Sequence, residues 1–338
     1  MNIRHEEIKS VIFDVLFKFC FMQTQDKKLK VYVAGHRGLV GSAILRKLKS
    51  LGFENIVTRT HSELDLTNTN KVDEFFQTEK PDIVYLAAAR VGGINAHLKK
   101  PVEFLVDNVL IEVNVIQASF KYGVKKLLFL ASSCIYPKMA KQPIREEELM
   151  TGELEKSNEG YALAKIIGLK LCDSYNKQYN TNYISVMPCN LYGPGDSFDL
   201  EHCHVFPALI RKFYEAKKNG DKSVTVWGTG TATREFLHAD DLADACIYLM
   251  DHYNESLFLN VGTGEEISIK DFAYMIKEII GYEGEIVFDT TKPDGTPRKL
   301  MDVSRIQSLG WKHKIDLKQG IKDTYDWFVN SQQAKQNH

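Results

Sequence analysis

The sequence predicts an α/β fold: a doubly wound parallel sheet with a smaller, discontinuous α/β substrate-binding domain attached. Three observations carry this. Short apolar runs alternate with stretches of helical periodicity from Lys30 to Met187, the pattern of parallel strands covered by helices on both faces. The first run, Val31–Ala34, leads straight into Gly35-His-Arg-Gly-Leu-Val-Gly41. After Pro188 the alternation gives way to loops, aromatics, Pro and Gly.

The elements follow in order. Val31–Ala34 is a four-residue apolar run, hence a buried strand, and Ser42–Leu51 has the spacing of a helix. Asn55–Thr58 is a second strand and Asn70–Thr78 a helix. Pro81 then precedes Asp82–Ala89, a buried strand ending in small residues. Val102–Tyr122 is helical. Lys126–Ser133, with Leu-Leu-Phe-Leu, is another buried strand, Glu159–Gln178 a long helix and Tyr183–Met187 a strand. Beyond these come a helix near Ala208–Lys217, a strand end and helix over Phe236–Ala245, and a strand at Phe258–Val261. A helix at Ile269–Ile280, a strand at Glu285–Phe288 and a closing helix at Leu317–Phe328 complete the chain.

At about 100–200 residues per domain, 338 residues imply roughly two domains. The expected division is 27–187 plus about 237–262 for the first and about 188–236 plus 263–330 for the second. Residues 1–26 form an extension of unassigned role. Its apolar stretch Val11–Met22 is broken by Asp14 and Lys18 and lacks the flanks of a signal peptide. Lys plus Arg number 43 and Asp plus Glu 44, a balance that excludes nucleic acid or an anionic membrane as a charge-driven partner. No run approaches the ~20 apolar residues of a membrane span. The six cysteines form no CxxC pair and read as reduced thiols of a cytoplasmic protein, with no metal site expected.

The GxxGxxG of Gly35, Gly38 and Gly41, with His36, Arg37, Leu39 and Val40 between, lies between a strand and a helix. The first glycine permits the tight turn, the second lets backbone approach a pyrophosphate, and the third allows close helix packing. This is a Rossmann-type dinucleotide site, with the helix N-terminus toward the phosphates. Val57-Thr-Arg-Thr-His61 carries Arg59 and His61 where an NAD site usually has an acid. With Arg37 this favours a 2′-phosphate, so NADP rather than NAD is expected. Asp65 and Leu66, read as following the third strand, are candidate adenine contacts.

Tyr161-Ala-Leu-Ala-Lys165 is YxxxK, opening a helix read as following the fifth strand. Residues i and i+4 share a helix face, and Lys165 is expected to lower the Tyr161 pKa so that the phenol can exchange a proton with a ketone oxygen. Ser132, read as a strand end, is placed to hydrogen-bond a carbonyl.

Together these features resemble the extended, sugar-nucleotide branch of the short-chain dehydrogenases/reductases. Six ordered segments resemble, within it, the GDP-L-fucose synthase family: 35–42, 87–94, Ser132-Ser-Cys-Ile-Tyr-Pro-Lys138, Asn190-Leu-Tyr-Gly-Pro194, Arg234-Glu-Phe-Leu-His238 and 292–299. The resemblance implies 3,5-epimerisation of GDP-4-keto-6-deoxy-D-mannose, then reduction at C4 with NADPH. It implies Ser132, Tyr161 and Lys165 as the reductive set and Cys134 with His204 as the epimerising acid–base pair. Leu130, Ala131, Ser132, Ser133, Lys165, Pro188, Cys189, Asn190, Leu191 and His204 match cofactor-contact positions. Lys212, Trp227, Arg234, Asp294 and Lys299 match substrate contacts. A homodimer through Val102–Tyr122 and Glu159–Gln178 is implied by analogy. The alternatives are another nucleotide-sugar epimerase or dehydratase of the same branch and, more remotely, a non-catalytic NADP-binding regulator. Cys134 with His204 argues against the first, and the intact Ser132/Tyr161/Lys165 set against the second.

Overall fold

The computed structural model describes residues 26–200, 203–292 and 294–336, so the extension expected at 1–26, with Cys20, lies outside them except for Asp26. The first half runs β1 (Val31–Ala34), α1 (Leu39–Ser50), β2 (Ile56–Val57), α2 (Thr69–Glu79), β3 (Ile83–Leu86), α3 (Ile94–Lys99), α4 (Pro101–Lys121), β4 (Lys126–Leu130), α5 (Glu159–Tyr179) and β5 (Tyr183–Pro188). The second runs β6 (Asn190–Tyr192), α6 (Val205–Asn219), β7 (Ser223–Trp227), β8 (Thr233–Arg234), β9 (Phe236–His238), α7 (Ala239–His252), β10 (Leu259–Val261), β11 (Ile267–Ser268), α8 (Ile269–Ile280), β12 (Glu285–Asp289), β13 (Arg298–Lys299), α9 (Ser304–Ser308) and α10 (Leu317–Gln336).

The main sheet has the order β10-β5-β4-β3-β1-β2, with every pairing parallel. β1, β3, β4 and β5 are buried along their whole length, as strands covered by helices on both faces must be. The chain adds β2 on one side of β1 and β3 on the other. The crevice at the carboxyl ends of β1 and β3 is therefore a topological switch point, where such sheets hold ligands.

The helix boundaries have local causes. The Asn68 side chain accepts from the Lys71 amide at the start of α2, and Lys80 closes that helix in the left-handed region. Ser268 caps α8 by accepting from the Asp271 amide, while its hydroxyl donates to the Asp271 carboxylate.

A second apolar core lies under α6, α8 and α10, built on Phe206, Phe213, Phe236 and Phe272. Small sheets frame it: β7 with β12, and β8 between β11 and β13. One short stretch ties the two cores together. In β13 Lys299 pairs with Arg234 of β8. The next residues bond outward, Leu300 to the Gln142 side chain, Met301 to the Glu235 carboxylate, and Asp302 to the Ile144 carbonyl. Met301, Val303, Ile306 and Trp311 then pack into the first core, although the sequence division assigns them to the second.

Three placements differ from the sequence reading. The helix carrying Tyr161 and Lys165, α5, follows the fourth strand, not the fifth. Ser132 lies beyond the end of β4 and caps a 3-10 turn over Ser133–Ile135. Asp65 and Leu66 precede β3, between β2 and α2; Asp65 there accepts from the Thr67 amide and hydroxyl, a local turn that leaves no periodicity to read.

Candidate active site

The glycine loop sits at the switch point, and its geometry explains each glycine separately. Gly35 has φ +84, and a Cβ there would lie 2.7 Å from the Ala88 amide nitrogen. A Cβ on Gly41 would collide with the Gly35 carbonyl, so this residue lets α1 fold back on β1. A Cβ on Gly38 meets only the Gly35 carbonyl, at 3.5 Å, leaving open space over the N-terminus of α1. Beside it the His36 Nδ1 is buried without a partner. An open cradle of backbone N–H groups at a helix start fits a dinucleotide pyrophosphate. Gly41→Ala is expected to lower both Tm and cofactor affinity, through overpacking that costs about 1–3 kcal/mol or more. Gly38→Ala should weaken cofactor binding with little change in Tm. Thermal melts and fluorescence titration of both variants check this.

Of the two arginines of the 2′-phosphate reading, Arg37 stands exposed in the glycine loop and Arg59 is engaged by its neighbours. Arg59 donates to the Thr58 carbonyl and to Glu79, and lies over the Phe75 ring. Glu63, fastened to Thr60, is held below the usual carboxylate range by those Thr60 bonds and, less strongly, by Arg59 and Arg37. His61 stands 4.0 Å from Asp65.

The reductive set converges where β4 ends. Ser132 Oγ and Cys134 Sγ are 2.8 Å apart. Lys165 Nζ donates to the Leu130 carbonyl at 3.0 Å and lies 5.8 Å from the centre of the Tyr161 ring. Tyr161 is buried, and the lowered pKa expected from Lys165 is not what the structure holds. Burial, then Cys134 and Glu112, push the phenol well above its ordinary value, against a lowering hydrogen bond from Ser132. Glu112 of α4 forms an ion pair with Lys165 at 3.1 Å and offsets its field at the phenol.

His204 precedes α6 as its N-cap. Desolvation, then the charges of Lys299 and His97, hold its pKa below the ordinary imidazole value. Lys299 is within electrostatic reach of Cys134 and Arg234 as well, so the charge expected at a diphosphate also borders the acid–base pair. Lys212 and Lys292 flank the exposed Trp227 ring, each at 5.7 Å, and Lys212 donates to the Thr225 carbonyl. Asp294 holds the 228–229 turn through the Thr229 amide and hydroxyl, and its carbonyl accepts from Arg234 at 3.4 Å.

A family model described as "NAD dependent epimerase/dehydratase family" matches residues 31–262. The chain belongs to that family. "Putative GDP-L-fucose synthase 2" of Arabidopsis thaliana is 57% identical over 92% of this chain and 95% of its own length. A GDP-6-OMe-4-keto-L-xylo-heptose reductase from C. jejuni superposes with a TM-score of 0.87 at 41% identity, covering 90% and 99%. A GDP-L-fucose synthetase from Naegleria fowleri bound to NADP superposes with a TM-score of 0.83 at 31% identity, covering 90% and 94%.

In this epimerase/dehydratase site two residues escaped the sequence reading. His97 of α3 is buried, with its ring 3.9 Å from that of Phe104 and 5.5 Å from that of Tyr161, and its Nδ1 has no partner. Glu112 is the other; its signal was a lone acid within the apolar run Val109-Leu-Ile-Glu-Val-Asn-Val115. Of the remaining thiols, Cys172, Cys189 and Cys246 are buried. Burial lifts all three, Cys172 to about 12, which suits packing rather than chemistry.

Proposed function

We propose that the chain converts GDP-4-keto-6-deoxy-D-mannose to GDP-L-fucose, epimerising C3 and C5 and then reducing C4 with NADPH. The observation that carries this reading is the 2.8 Å contact between Ser132 and Cys134, because reduction alone needs no thiol beside its hydroxyl. Cys134 and His204 act as the acid–base pair: one removes a proton beside the ketone while the other returns one to the opposite face. Ser132 and Tyr161 donate to the C4 oxygen as negative charge gathers there. The glycine loop and α1 hold NADPH, with Arg37 and Arg59 at its 2′-phosphate; when bound it supplies hydride to C4. Tyr161 gives its proton to the C4 oxygen, and Lys165 holds that end of the site. Adenine contacts fall to Asp65 and Leu66, and the nucleotide-sugar contacts to Lys212, Trp227, Arg234, Asp294 and Lys299.

The test is to supply GDP-4-keto-6-deoxymannose and NADPH, follow loss of reduced cofactor and identify the sugar product. Turnover of a GDP-keto-heptose in its place, with no fucose formed, would move the chain beside the reductase it resembles in shape. Arg37→Ala is expected to cut the preference for NADPH over NADH by about 10–100-fold, the worth of charge-assisted bonds to phosphate. Arg59→Ala should do less, since Glu79 already engages that side chain; kcat/KM for the two cofactors decides.

We further propose the domain division given above, with about 301–311 moved to the first domain on whose core they pack, and a cytoplasmic homodimer. Val102, Val106 and Leu110 of α4 and Leu163 and Ile167 of α5 are large apolar residues that stand exposed on packed neighbouring helices, the kind of face that a second copy covers. Light scattering should give twice the chain mass; a single chain mass at micromolar concentration would reject the dimer.

A further inference from the structure

Lys165 is one of the most deeply buried cations among the described residues, with 2% of its side chain exposed. An isolated ammonium so placed would shed its proton rather than remain charged. Glu112 supplies the counter-charge. It projects from α4, a neighbouring helix, with 1% of its side chain exposed, and one carboxylate oxygen lies 3.1 Å from Lys165 Nζ. The other oxygen lies against Gly168, one turn further along α5, where a Cβ would come within 2.5 Å of it. Gly168 is thus the gap that lets a carboxylate from α4 reach Lys165. The Leu130 carbonyl, at 3.0 Å, holds the ammonium from the side of β4.

We infer that Glu112 is a positioning residue for the reduction, holding Lys165 charged and in place and balancing its field at Tyr161. This rests on the assignment of Tyr161 and Lys165 given above. The titratable groups facing the pair are Tyr161 and Cys172 on α5, and Tyr161 is faced in turn by Cys134 beyond β4 and His97 on α3. Tyr183 of β5 borders Cys172. Burial raises Tyr161 and Cys172 and lowers His97, so these three are neutral at neutral pH and leave the carboxylate facing one close cation. Burial raises Glu112 itself above the usual carboxylate range, and Lys165 works against that. Without the carboxylate two outcomes are open, and both act in one direction. If Lys165 keeps its charge, the unbalanced field draws down the pKa of Tyr161. If it loses its charge, the site fails at lower pH. Either way the protonated, competent form disappears earlier as pH rises.

The experiment is the pH profile of kcat/KM for NADPH-dependent reduction by Glu112→Gln, which keeps shape and removes charge. The alkaline limb is expected to move toward acid by about one pH unit or more, with Glu112→Asp returning it toward wild type. A limb at the wild-type position, or an Asp variant shifted as far as Gln, would overturn the inference. A melting cycle keeps it testable if Glu112→Gln folds poorly alone. Lys165→Met strands a buried carboxylate and should lower Tm by about 4–7 °C. Adding Glu112→Gln should recover most of that loss, whereas additive losses would contradict the pairing. If reduction survives Tyr161→Phe and Lys165→Met, the functional assignment fails, and the melting cycle still reports on the pair.

Discussion

Replacing Tyr161 by Phe is expected to lower reduction of the keto sugar by about 10²–10⁴-fold, the usual worth of a positioned proton donor. The variant removes one oxygen and keeps the ring. The buried face against His97 and the 5.8 Å approach of Lys165 therefore survive, and the loss reads the proton itself. Solvent deuterium should still enter C3 and C5 of the substrate, since the proposed mechanism gives that exchange to Cys134 and His204. Exchange is measured by mass spectrometry of the recovered sugar nucleotide, and reduction by loss of NADPH absorbance. Equal collapse of both would argue against a division of labour. The raised Tyr161 pKa adds a sign. The phenol keeps its proton through neutral pH, so wild-type reduction should hold across that range and fall only on the alkaline side.

Cys134→Ser is expected to do the reverse. A serine hydroxyl still reaches Ser132, but it neither ionises nor gives up a proton as a thiol does. Exchange at C3 and C5 should therefore fall by about 10²–10⁴-fold. NADPH binding should stay within about two-fold of wild type, because the cradle at Gly35–Gly41 is untouched. Product formation stalls with it, since the 4-keto sugar no longer reaches the epimer to be reduced. Full exchange in this variant would remove Cys134 from the mechanism and leave the Ser132 contact as packing.

The elements legible in the sequence were those whose signal is local. β1, the glycine turn and α1 lie within twenty residues of each other, and each glycine has a steric cause that chain order already implies. The long helices α4 and α5 announced themselves by periodicity. β7 was missed because its five residues alternate between exposed and buried inside a loop-like composition, and its partner β12 lies some sixty residues on. The site divides in the same way. Tyr161 and Lys165 share a helix and Ser132 follows a buried strand, so spacing could find them, whereas Cys134 entered only with the family resemblance. The Glu112–Lys165 and Arg59–Glu79 pairs join residues of different elements, and nothing in one sequence marks such a pairing. The Tyr161 pKa departs from the expectation for a related reason: burial raises it first, and Cys134 and Glu112, brought up by folding, add to that. His97 was overlooked for the same reason, since its neighbour Tyr161 is brought to it only by folding.

The pairing of β13 with β8 has a consequence beyond fastening the two cores. It sets Arg234 and Lys299 on adjacent strands, and the Arg234 charge lowers the affinity of Lys299 for its proton, after desolvation and despite the opposite effect of Cys134. Backbone bonds thus keep two cations on neighbouring strands, with Asp294 supplying part of the counter-charge at Arg234. On the substrate assignment proposed above, a diphosphate lying between the two side chains would offset their repulsion. The spacing of the two charges offered to the proposed nucleotide sugar is then written in the register of two short strands.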